Sequence, residues 1–154
     1  MLRMLIATLL TMTAATSTAS GQDGHVWGFV TTPQDARLFF GVPDSHEITL
    51  SLICEPKRSR LQIITTVLPP KAVAGRAMNV RLSNGASTLE YSGKVARERD
   101  GLYLAATSPD SGVFGLLRTG SLLAIEVAGT RQNVPLKGAA GPLARMEKAC
   151  LGKG

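Results

Sequence analysis

The chain has 154 residues, 17 Lys and Arg against 11 Asp and Glu, a formal net charge of +6 and only 5% aromatic residues. That length suits one domain with room for a real core. The cations are scattered rather than gathered in a tail, and rings are too few to stack a run of bases, so nucleic acid is not an expected partner.

Residues 1–20 carry one cation, Arg3, then an uncharged and mostly apolar run from Met4 to Ala15. Ser17 and Ala19 follow as small residues at the minus-three and minus-one places of a peptidase site. This is the layout of a secretory signal, expected at residues 1–19. The apolar run is shorter than the ~20 residues that cross a bilayer as a helix, and nothing downstream reaches that length. Residues 20–154 are then one β-rich domain of about 135 residues. Loss of Arg3 takes the formal charge to +5. Periplasm or secretion is the expected compartment, and two cysteines, Cys54 and Cys150, fit it as one disulfide. In the chain-entropy account a bond closing nearly a hundred residues contributes at most ~4.7 kcal/mol. A whole domain has about 5–15 kcal/mol, so the share is large.

The mature chain opens on Val26 to Val30, an alternating strand containing Trp27 and Phe29. Ala36 to Phe40 is a second strand, stopped by Gly41-Val-Pro-Asp44. Glu47 to Cys54 is the clearest: Ile48, Leu50, Leu52 and Cys54 share one face, Thr49 and Ser51 the other, one face in and one out. Arg60 to Val67 continues the pattern until Pro69-Pro70. Ala77 to Leu82 and Ala86 to Val95 flank Ser83-Asn84-Gly85, a strong hairpin signal. Gly101 to Ala106 follows through Arg99-Asp100-Gly101. Pro109 to Leu117 reads as a short helix capped by Ser108 with Pro109 first. Ser121 to Val127 and Gly129 to Leu136 return to strand. Gly138 to Cys150 places Leu143, Met146 and Cys150 on one helical face, with Pro142 in the first turn and Gly152 at the stop. Eight or nine short strands with two helices predict a mainly β fold: a small antiparallel barrel or sandwich whose C-terminal helix is docked by the disulfide.

Several of these residues form a pattern together: Trp27, then Ala36-Arg-Leu-Phe-Phe-Gly-Val-Pro-Asp-Ser45, then Ile48 to Cys54. Phe114 to Val127 fits a helix-then-strand element, and the ending has Leu136-Lys-Gly138 and Ala149-Cys150. In these respects the chain resembles a family of small exported alphaproteobacterial proteins, and its closing pattern is similar to type VI secretion-associated proteins of the VasI kind. The resemblance implies a compartment, a turn, a disulfide and a closing helix, and carries no catalytic signature.

Chemistry-bearing residues are sparse. His25 and His46 have no metal-ligand spacing, and no metal or cofactor is expected. Asp44-Ser-His-Glu47 reads as a turn, because Ser45 and His46 on a strand would diverge. There is no Gly-x-Ser-x-Gly elbow and no phosphate-loop motif. The carboxylates Glu47, Glu55, Glu90, Glu98, Asp100, Asp110 and Glu126 are spread out, and nothing selects a pair. Two loose basic groups, Lys57, Arg58 and Arg60 and then Lys94, Arg97 and Arg99, are candidates for binding an anion or a partner. Trp27, Phe29, Phe39 and Phe40 are candidates for an aromatic patch, half of them core by alternation.

The expected function is a non-enzymatic periplasmic or secreted binding module, its partner an envelope or extracellular protein or an anionic polymer. One alternative is an inhibitor of a cell-wall-cleaving enzyme, although a cationic inhibitor would be repelled by basic lysozymes. The other is a hydrolase using carboxylates that the sequence does not single out.

Overall fold

The structure, a computed structural model, describes residues 24–55, 60–99 and 101–152. The expected signal at residues 1–19, and with it Lys57, Arg58 and Asp100, falls outside the described residues. The elements in chain order are β1 (Val26–Thr31), β2 (Ala36–Gly41), β3 (Ile48–Cys54), β4 (Leu61–Thr65), β5 (Ala77–Ser83), β6 (Thr88–Glu98), β7 (Gly101–Ser108), α1 (Gly112–Arg118), β8 (Leu122–Val127), β9 (Thr130–Pro135) and α2 (Ala140–Leu151). The nine strands make one antiparallel sheet in the order β1-β2-β3-β4-β7-β6-β5-β8-β9, curled into a half-barrel. Strands β1 to β4 are a meander. The chain then skips two places to β5 and returns through β6 to lay β7 beside β4.

Alternation decides which side of each strand is buried. Leu38 and Phe40 of β2, Leu50 and Leu52 of β3, Ile63 of β4, Leu104 of β7, Leu82 of β5 and Ile125 of β8 all face inward and are buried. Helices α1 and α2 supply Phe114, Leu117, Leu143 and Met146 against them. Trp27 Nε1 on β1 donates to the Pro135 carbonyl at the end of β9, at 2.7 Å. That bond ties the two outermost strands together across 108 residues of chain, so the sheet curls far enough for its edges to approach.

Cys54 closes β3 and Cys150 closes α2, and the two form a disulfide with Cα atoms 6.0 Å apart. Met146 is fully buried one turn before Cys150, and an Arg118–Glu147 ion pair joins α1 to α2. Gly152 ends α2 in the left-handed conformation, at φ 61°. The expectation for this helix and its staple therefore holds.

Three local expectations need correction. First, β7 runs two residues past Ala106, because Ser108 pairs with Leu61 and is fully buried. The Ser108 hydroxyl donates to the Asp110 carbonyl in a turn, and α1 starts only at Gly112, whose N–H is accepted by the Asp110 carboxylate at 2.8 Å. Second, the hairpin loop spans 84–87 rather than 83–85, because Ser83 still pairs with Thr88. Asn84 Oδ1 accepts the N–H groups of Ala86 and Ser87, and Asn84 Nδ2 donates to the Leu116 carbonyl of α1. That tether to the helix selects the longer loop. Third, Thr49 and Ser51 do not face water: both are buried. Strand β3 is central, and on its outer face Ser51 stands between Phe39 and Ile64 in register.

Two experiments probe this packing. Replacing both cysteines by alanine should lower stability by about 2–4 kcal/mol, seen as a lower urea midpoint. At Gly93 an added Cβ would sit 2.5 Å from the Ala105 carbonyl oxygen, which is backbone and cannot swing away. Gly93→Ala should therefore cost about 1–3 kcal/mol by thermal unfolding.

Candidate functional site

The outer face of the sheet divides into two halves of opposite character. Over β5, β6, β8 and β9 it is polar. Arg81 on β5 pairs with Glu90 on β6 and with Glu126 on β8, each at 3.3 Å. Asn79 Nδ2 donates to Glu90 Oε1 at 2.7 Å, and Ser92 Oγ donates to Asn79 Oδ1 at 3.0 Å. An open cavity of about 570 Å³ lies over this ladder.

The ladder selects one carboxylate pair, Glu90 and Glu126, that the sequence left unchosen. Glu90 itself does not suit the part of a general acid. The Asn79 amide first, and the Arg81 guanidinium second, hold Glu90 below the usual glutamate range, so it stays ionised. A general acid needs the opposite shift.

Over β2, β3, β4 and β7 the outer face carries apolar side chains in its middle, with the polar Arg37, Gln62, Thr66 and Thr107 around them. Phe39, Ile53, Ile64 and Tyr103 stand there half-buried, with Ile48 at the end of β3. Phe39 lies across Gly28 of β1, where a Cβ would come within 2.3 Å of its ring. Val26 and Val30 of the edge strand β1 share this face and are 46% and 49% exposed. A groove of about 390 Å³ crosses β3 and β4 from Arg37 on β2 toward Tyr103 on β7 and Glu98 on β6, with Ile53 and Gln62 beside Arg37 and with Ile48 and Thr66 farther along β3 and β4.

The aromatic candidates do not gather in one patch. Trp27 and Phe40 turn inward and pack with ring centroids 5.4 Å apart. Phe29 is half-buried under the Arg145 guanidinium of α2, 5.4 Å from its ring centroid. Phe39 alone lies on the outer face.

The basic candidates that are described do not converge either. Arg60 precedes β4, whose Leu61 pairs with Ser108. Arg97 and Arg99 lie at the other end, where Glu98 pairs with Gly101. Seven steps along β7, from Gly101 to Ser108, separate the two places, roughly 23 Å at strand rise. Lys94 sits between, on the outer face opposite Ala105. Ser45 is spent in its turn: its hydroxyl donates to the Val42 carbonyl and accepts from the Glu47 N–H.

Sequence reasoning missed Arg37, Ser51, Gln62 and Ile64. Their alternation was visible, but which strands would be neighbours was not. Among the described residues no helix is long and apolar enough to cross a membrane, and no three His, Cys, Asp or Glu side chains cluster to hold a metal. No family model, no curated protein and no solved structure matches the chain.

The Glu90 site makes a pH prediction. A carboxylate held low in the folded chain adds stability above its unfolded pKa, about 4.3 for Glu. That contribution fades as pH falls through the lowered folded value. Glu90→Gln should therefore melt below the wild type at neutral pH, with the gap closing as the solution is acidified. Melting curves across that range check it, and a gap that widens on acidification contradicts it.

Proposed function

We propose that this chain acts outside the cytoplasm as a non-enzymatic binding module, and that the apolar half of its outer sheet face receives a protein partner. The observation that carries this is the asymmetry of that face. A sheet face meant only for water would be laced throughout as it is around Arg81. Instead, Phe39, Ile48, Ile53, Ile64 and Tyr103 cover the other half and are not fully packed away. A contiguous apolar surface rimmed by polar groups is the ordinary mark of an interaction site. The disulfide and the signal-like leader support an exported location. A protein is favoured over an anionic polymer because the described cations Arg60 and Arg97 lie at opposite ends of the sheet, whereas the apolar residues are contiguous. Glu90 and Glu126 lend an enzymatic role no support, since Arg81 holds both.

The test is capture from envelope extract by the purified protein, compared with two variants. Ile64→Lys on the apolar half should abolish the captured band, while Arg81→Ala on the polar half should leave it. Capture lost equally by both variants, or by neither, contradicts the proposal.

A further inference from the structure

The groove along β3 and β4 has features that a flat docking face would not need. Resting on the binding role proposed above, we propose that it holds a short extended peptide with free ends, its carboxylate at Arg37 and its amino group at Glu98.

Start with the floor. Ser51 is on the outer face of β3, where a hydroxyl is ordinarily satisfied by water. Here it is 3% exposed, and its Oγ makes no hydrogen bond. A buried hydroxyl without a partner is a standing cost that a core would avoid with alanine. It lines the groove beneath Ile53 and Ile64. Diagonal neighbours on one sheet face lie about 7–8 Å apart. By the register Arg37 pairs with Ile53 and Ile53 with Gln62, so Arg37 and Gln62 are both diagonal to Ser51. A guanidinium, an amide and a hydroxyl thus share one corner of the groove. That set suits a carboxylate, which a guanidinium binds through paired N–H donors.

The far end has the opposite charge. Glu98 lines the groove beside the tip of the β6–β7 hairpin. Neither Arg37 nor Glu98 has an ion-pair partner among the described residues. From Arg37 on β2 to Glu98 on β6 the register crosses four strand spacings and six steps of β7, a diagonal of roughly 28 Å between backbones. With both long side chains reaching inward from the two ends, an extended peptide of about five residues, roughly 17 Å, bridges the remainder. Its side chains would meet Ile48, Ile53 and Ile64, and its backbone would supply the partner that Ser51 lacks. The volume of about 390 Å³ lies in the ~300–1,000 Å³ range of ligand sites. An aliphatic acid would use the Arg37 end and leave Glu98 facing hydrocarbon, so the two end charges favour the peptide.

The probe is the pentapeptide Ala-Val-Ala-Val-Ala, titrated into isotope-labelled protein and followed by amide shifts. The free-ended peptide should shift signals along β3 and β4. Amidating its carboxylate should weaken binding at least tenfold, and the Arg37→Gln variant should lose that discrimination. Acetylating its amino end should weaken binding similarly, unless Glu98→Gln is present. Ser51→Ala should melt higher than the wild type yet bind the peptide more weakly, a combination that a purely structural serine would not give. Octanoate, as the competing aliphatic acid, should bind less well than the peptide. The inference is overturned if the free-ended peptide fails at millimolar concentration, if both blocked peptides bind as well, or if octanoate binds better. Capture that still depends on Ile64 would then leave the docking role standing and remove only the peptide.

Discussion

The covalent hold of α2 on the inside of the sheet is the constraint on which the rest depends. A curled antiparallel sheet of nine strands has a concave apolar face that must be covered. The cover is two short helices, and neither is long enough to be stable by itself in water. Cys150 fastens the end of α2 to the end of β3, and Glu147 pairs with Arg118 of α1. With α2 in place, Leu143 and Met146 complete the cluster around Leu38, Phe40 and Phe114. The Trp27–Pro135 hydrogen bond then brings the free edges of the sheet toward each other.

Once the inner face is filled from within, the outer face is free to carry function. Its two halves handle water in different ways. Around β5, Arg81 has a carboxylate counterpart on each neighbouring strand, so that ladder is solvated and electrically satisfied. Around β3 the strands carry isoleucines outward and hide a hydroxyl, and the nearest charges, Arg37 and Glu98, stand apart from each other. Unsatisfied groups cost stability, and natural chains usually keep such costs where binding recovers them.

Much of the fold was legible in the order of residues. Period-two runs located the strands, Asn84-Gly85 marked a hairpin, and the spacing of Leu143, Met146 and Cys150 gave the closing helix. The errors share one cause. Ser108, Asn84, Thr49 and Ser51 are each governed by a partner distant in sequence: Leu61, the end of α1, or the strands flanking β3. Local pattern carries no information about those partners. The proposed binding face was the least legible, for the same reason. Arg37, Ser51 and Gln62 come together only because β2, β3 and β4 pair in one particular register. The aromatic candidates, by contrast, were close in sequence, and alternation turns Trp27 and Phe40 inward while Phe39 stays on the outer face.

The clamp on α2 can be tested most directly by amide hydrogen exchange, residue by residue, before and after reduction of the Cys54–Cys150 bond under native conditions. The account predicts that protection falls first in α2 and in the β1 and β2 strands it covers, while β5, β6 and β8 keep theirs. Unchanged protection in α2 after complete reduction, or an even loss across all nine strands, would contradict it.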